Sequence, residues 1–298
     1  MRTRVIFAAV LAVSLAASVA LSYRIAANEG ESTLEETLWI VSPRAARYSS
    51  LGYTGLAADI YWTRAVQYFG GKHRERSQQY KLLKPLLNLA TDLDPQLAIA
   101  YYFGSFFLAQ APPEGAGDPD AAAELVEKGI RNNPDEWRLY YHLGIIQYIE
   151  RHDYTAAAEA FERGAKNPNA APWLKVMAAA MRERSGDVNT AAYLWKQIFD
   201  NSDDKNIKAN ALKHLASLRV DEDIRHLDEF VAEYQQRHGR APTSFRDLAE
   251  VGLGGTPLDP TGQPYVLRDG KVEVREMKDF PFITRGLPPG AKSRSPLP

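Results

Sequence analysis

The chain has 298 residues, 45% of them hydrophobic, with a formal net charge of −1 and no cysteine. That apolar content supports a packed core and excludes wholesale disorder. The near-neutral charge argues against nucleic acid as a partner, because phosphate binding calls for a large basic excess. The absence of cysteine removes disulfides, thiolate-held zinc, iron–sulfur clusters and thioether haem.

The first element is hydrophobic. Met1-Arg2-Thr3-Arg4 is followed by Val5 to Tyr23, apolar except for Ser14, Ser18 and Ser22. At about 1.5 Å per residue this run just spans a hydrocarbon core of about 30 Å. Residues 1–27 are therefore expected to form a signal anchor, with membrane attachment through residues 5–23. Cleavage at Ser18-Val19-Ala20 or Ala26-Ala27 is the other open fate. Arg2 and Arg4 precede the run, whereas Glu29, Glu31, Glu35 and Glu36 follow it. Positive charge stays on the cytoplasmic side. The expectation is a single pass through the inner membrane, N-terminus in, with the bulk of the chain extracytoplasmic or periplasmic.

Residues 34–218 read as an array of helices. Asp94-Pro95, Asn133-Pro134 and Asn167-Pro168 each end one amphipathic stretch and precede another. Lys72 to Arg76 is expected as a solvated loop between helices. The clearest unit runs from Trp137 to Pro168, with Tyr140, Leu143-Gly144, Asp153-Tyr154, Ala157 and Phe161. Gly144 lets two helices approach closely, Ala157 marks their crossing, and Phe161 fills the space between hairpins. Upstream, Phe103-Gly104, Ala122 and Val126 repeat this frame, with a Pro- and Gly-rich insertion, Ala111 to Pro119. Downstream, Asp187 to Thr190 repeats the turn and Ala191 with Trp195 repeats the packing pair. Ala122, Ala157 and Ala191 lie 35 and 34 residues apart. A more degenerate first unit, Tyr53 to Pro95, offers Leu83, Leu87 and Ala90 for packing.

These residues and their period resemble the tetratricopeptide-repeat (TPR) family. The resemblance implies an all-α, right-handed solenoid of helical hairpins whose first helices line a groove for a protein or peptide. Counted from the Leu-Gly pairs, the groove would present Tyr101, Ser105, Leu108, Arg138, Tyr141, Ile145, Tyr148, Trp173 and Val176. Repeat packing would fall to Gly104, Ala122, Leu143, Gly144, Ala157, Phe161, Ala191 and Trp195.

Residues 219–298 are expected to hold a capping helix, a short helix, a β-hairpin and a flexible tail. Helix is expected through Lys205–Leu218. A second helix, Asp221 to His238, carries Ile224, Leu227, Phe230, Val231 and Tyr234 on one stripe, ends at Gly239 and caps the array. Ser244 starts a short helix with Asp247 three residues on. Asp269-Gly270 between Tyr265-Val266-Leu267 and Val272-Glu273-Val274 predicts a β-hairpin. The run from Asp259 to Tyr265, Asp-Pro-x-Gly-x-Pro-Tyr, resembles a segment of the type II secretion major pseudopilins. Ser293 to Pro298 reads as a frayed end.

The chain has no phosphate-binding Gly-rich loop, no Gly-x-Ser-x-Gly and no His-Glu-x-x-His. His73, His142, His152, His214, His226 and His238 are never spaced three or four apart, so they read as packed or solvent-facing residues. Asp200, Asp203 and Asp204 suit a helix start, and Asp259 suits a turn. The expectation is a non-catalytic scaffold for protein–protein interaction in envelope assembly, secretion or pilus-type machinery, without cofactor, metal or small-molecule substrate. A secreted or periplasmic peptide-binding module, or an accessory subunit of an enzyme complex, are the alternatives.

Overall fold

The computed structural model describes residues 13–20 and 42–294, which are mostly helical. The expected anchor falls largely outside the described residues, of which 13–20 are helical. Among the described residues, no helix is long and apolar enough to cross a membrane. The chain divides into two compact units, Met1–Leu97 with Pro112–Ala116, and Ala98–Ala111 with Gly117–Pro298.

In the first unit, α1 (Pro43–Ser49) starts on Ser42, whose hydroxyl accepts from the Ala45 N–H, with proline at the first turn where a missing N–H costs least. Helix α2 (Thr54–Arg74) packs on α3 (Leu83–Leu93). Leu83, Leu87 and Ala90 are fully buried, as their spacing predicts. Ala46 and Ala58 close a small core with Leu89 and Leu93. Lys72, His73 and Arg74 are not loop residues. They form the last turn of α2, where cations complement the helix dipole. Pro112–Ala116 of the insertion is held here: the Pro113 carbonyl accepts from the Tyr80 hydroxyl and lies 3.2 Å from His73 Nδ1.

The second unit runs α4 (Ala98–Ala109), α5 (Pro119–Asn132), α6 (Trp137–Ile145), a π-helical turn (Ile146–Glu150), α7 (Tyr154–Ala165), α8 (Trp173–Arg184), α9 (Val188–Asn201) and α10 (Lys205–His238). Consecutive helices pack as pairs, α4 on α5, α6 on α7 and α8 on α9. One device starts the second helix of each pair. Gly117, His152 and Gly186 adopt left-handed backbone conformations. The next residue, Asp118, Asp153 or Asp187, then accepts an N–H from three residues on, at 2.9–3.2 Å. Ala122, Ala157 and Ala191 follow, fully buried, and one turn later Val126, Phe161 and Trp195, also fully buried. The same local chemistry at 35- and 34-residue spacing thus produces the same geometry three times.

Gly144 meets its expected role. A Cβ there would overlap the Phe161 ring. The ring therefore sits inside its own hairpin, on the glycine, as well as in the core shared with Leu174 and Ala178. Burying such a ring stabilises by about 1.5–3 kcal/mol. Gly104 and Leu143 are likewise buried.

The expected break after Leu218 does not occur. Helix α10 is continuous over 34 residues, because no Gly or Pro interrupts it and Val220 is fully buried in the stripe continued by Ile224, Leu227, Val231 and Tyr234. Position 219 therefore lies within a helix, where α10 passes from the core that holds Leu218 to the one that holds Val220. Gly239 ends it with φ 65°. Against α10 fold a 3-10 turn (Asp247–Val251) and an antiparallel hairpin of β1 (Val266–Arg268) and β2 (Lys271–Glu273). Asp269 and Gly270, both at positive φ, make its turn. Ser244 does not cap by its hydroxyl; the Asp247 carboxylate reaches back to the Thr243 and Ser244 N–H groups at 2.7 and 3.0 Å.

Candidate functional site

The first helices of three pairs carry aromatic residues whose rings touch in series. Tyr102 on α4 stacks on His142 of α6 at 5.2 Å. His142 meets Tyr141 edge-on at 5.6 Å, and Tyr141 meets Trp173 of α8 at 5.2 Å. Trp173 then meets Trp137 at 5.8 Å, and the Arg138 guanidinium lies 4.8 Å over the Trp137 ring while pairing with Glu136 at 3.2 Å. The row crosses from α4 through α6 to α8. Most of its members are half-buried, and Trp173 is 41% exposed. Ile99, Phe103 and Phe106, one helical stripe on α4, are exposed.

Burial shapes the chemistry of the row. It pushes His142 below its ordinary value of 6.5, so the ring is held as the neutral imidazole. Burial and the neighbouring Glu136 hold the Tyr102 proton well above the usual phenol range. The row is thus an uncharged aromatic surface with one ion pair at its edge. That suits contact with apolar and aromatic side chains, which gain large area at little entropic cost.

The sequence-derived groove set divides. Arg138, Tyr141 and Trp173 belong to the row. Ile145 and Val176 are half-buried and pack on the central core. Tyr101, Ser105 and Leu108 are fully buried and present no surface, so their assignment to the groove is corrected. Tyr101 lies against Gly129, and the Ser105 hydroxyl donates to the Tyr102 carbonyl. The outward face of α4 sits one residue further on, at Tyr102, Phe103 and Phe106. Tyr148 also turns away: its hydroxyl accepts from Arg184 at 2.7 Å, with the guanidinium 5.4 Å over its ring. The cause is the π-turn Ile146–Glu150. One extra residue in a turn rotates the succeeding residues by about 100°, and it is Ile149 that is exposed. Gln147 in that turn is buried with its side-chain oxygen lacking a hydrogen-bond partner. α-Helical counting could not foresee this. The exposed stripe of Ile99, Phe103 and Phe106 was visible in sequence as i, i+4, i+7 spacing.

A second cluster lies at the start of α10. His214 is fully buried between two parallel rings, Trp195 at 3.9 Å and Phe282 at 3.7 Å. Its Nδ1 lies 2.8 Å from Glu183 Oε2, which also accepts from the Trp195 indole N–H at 2.9 Å. Close by in sequence, the Asp221 carboxylate accepts from the Thr284 N–H and hydroxyl and from the Arg285 N–H. Burial raises Asp221, against the pull of those bonds. The cluster ties α8, α9 and α10 to residues 282–285. His214 Nε2 is buried and has no hydrogen-bond partner among the described residues. Asp259 is a turn cap: its Oδ1 accepts from the Thr261 N–H and hydroxyl and the Gln263 N–H. Asp200 pairs with Lys196, and Asp204 caps α10.

No family model and no curated protein matches the chain.

Proposed function

We propose that the chain is a membrane-anchored, non-catalytic scaffold with a TPR-like right-handed array of hairpins, displayed outside the cytoplasm. A protein segment docks on the face made by the first helices. The observation that carries this reading is the unbroken row of rings from Tyr102 to Trp137, with the exposed stripe Ile99, Phe103 and Phe106 beside it. Repeated capping at 35- and 34-residue spacing supports the array, and the Val5–Tyr23 run supports the anchor. Aromatic anchors with a flanking arginine are the residues that dominate protein interfaces. The tail, a long helix followed by a turn-rich segment and a hairpin, fits a role alongside pilus- or secretion-type machinery.

The test is site-specific photocrosslinking of the full chain in its own cells. A photoreactive residue at Phe103, Phe106 or Trp173 is expected to trap one discrete protein species, and the same residue at exposed Leu212 is not. Trp173→Ala combined with Phe103→Ala should abolish the adduct without changing helicity. Recovery of a solitary, uncrosslinked chain from every position would overturn the scaffold reading.

A further inference from the structure

The described residues of the first unit carry an apolar surface that none of their own packing explains. Tyr48 on α1, Leu51 in the connecting turn, and Tyr53, Leu56 and Ile60 entering α2 are between 47% and 86% exposed. Positions 53, 56 and 60 share one helix face by their spacing. The opposite face of α2 buries Ala58, Ala65 and Tyr68. Helix α2 is thus apolar on both sides, a pattern that surface helices in water avoid.

The turn that presents the patch is built. The Ser50 N–H donates to Ala46, Leu51 to Tyr48 and Tyr53 to Ser50, at 2.8–3.3 Å. Leu51 itself adopts φ 49°. A left-handed conformation is strained for a non-glycine residue, and Leu51, at 86% exposure, is not buried by the described residues. In the same stretch, residues 42–64 carry three arginines, Arg44, Arg47 and Arg64, of which Arg47 donates to the Asp92 carbonyl, and one acid, Asp59.

We propose that this patch seats on the lipid bilayer, with Leu51, Leu56 and Ile60 entering the headgroup–acyl boundary and Tyr48 and Tyr53 at its rim. Tyrosine suits that boundary because its ring is apolar and its hydroxyl stays wet. Arginine stems lie along apolar surface while their charge meets lipid phosphate. Chain continuity selects the occupant. The apolar run ends at Tyr23, and residues 24–41 reach at most about 60 Å, so α1 and α2 stay beside the membrane in which the run is anchored. The inference rests on that anchor.

The cysteine-free chain makes the test direct. Full-length protein carrying Leu51→Cys, Leu56→Cys or Ile60→Cys is nitroxide-labelled and reconstituted in phosphatidylethanolamine–phosphatidylglycerol nanodiscs. Collision with oxygen, which concentrates in lipid, is compared with collision with a water-soluble nickel chelate. The patch labels are expected to favour oxygen several-fold over labels at Tyr193 and Leu212, both exposed in the other unit. Patch labels as open to nickel as those controls overturn the proposal. So do labels shielded from both reagents, which would mean protein contact with a second copy or with residues 24–41. A label at Ala16→Cys reports the anchor separately: open to nickel, the anchor reading fails; open to oxygen, the anchor stands whatever the patch labels show. Leu51→Asp with Leu56→Asp should keep the helical circular dichroism and remove the lipid signature from Ile60→Cys.

Discussion

The paired helices from Pro119 to Asn201 and the tail from Asp221 to Arg294 share one unit yet are held in different ways. The pairs are held by small and large apolar residues at fixed local spacing, with an aspartate cap at the start of each second helix. The tail has an apolar core of its own, in which Ile224 and Val231 of α10 meet Leu248, Tyr265, Val272 and Phe280, but it adds polar ties across long stretches of chain. Asp221 binds residues 63 and 64 positions away, and the Tyr265 hydroxyl donates to Asp223, 42 positions away. Apolar packing at a repeating spacing can be extended one pair at a time. Long-range polar ties specify one arrangement and lend themselves to no repetition.

The comparison is broken most forcefully in the pairs. Phe161→Ala leaves a void over Gly144 and should cost about 3–5 kcal/mol. Thermal unfolding followed by circular dichroism should show the loss; a change under about 1 kcal/mol would mean the ring is not central to the array. In the tail, Asp221→Ala leaves the exposed Thr284 and Arg285 N–H groups to water and should cost about 0.5–1.5 kcal/mol. Hydrogen exchange should then accelerate at residues 280–287 while Ala157 and Phe161 remain protected. Equal acceleration in both places would show that the two regions open as one.

Acidification sharpens the contrast by a smaller effect. His142 is held below its ordinary 6.5 by burial. The unfolded chain therefore takes up this proton first as pH falls, and stability at the α4–α6 contact, full above about 6.5, declines below it. Asp221 is raised, so its folded form takes up a proton before the unfolded form does, and acid does not weaken the tail through this group. Between pH 7 and 5, amide protection relative to the intrinsic exchange rate at each pH should fall around His142 and not around Asp221. His142→Phe should remove the pH dependence at the α4–α6 contact.

Much of the paired region was legible because its signals are local. The caps at Asp153 and Asp187, the crossings at Ala157 and Ala191 and the stop prolines lie within one unit of sequence each. The hairpin around Asp269-Gly270 was legible for the same reason. The groove residues were only partly so. On α4 the count from Gly104 placed the outward face one residue early, on Tyr101 and Ser105. On α6 the π-turn at Ile146–Glu150 moved exposure from Tyr148 to Ile149. The sequence reading divides α10 into Lys205–Leu218 and Asp221 to His238, although neither glycine nor proline stands between them.

By itself, the sequence determined the helical class, the period of the repeat and the apolar N-terminal run. Each depends on residues close together in the chain, where periodicity and capping act. The tertiary structure alone decided which rings meet in the row from Tyr102 to Trp137, and that His214 is clasped by Trp195, Phe282 and Glu183. It also decided that the other described residues leave Leu51 and its neighbours exposed. Those facts depend on which distant surfaces come to face each other, and that depends on the packing of whole helices, not on the propensities of any one of them.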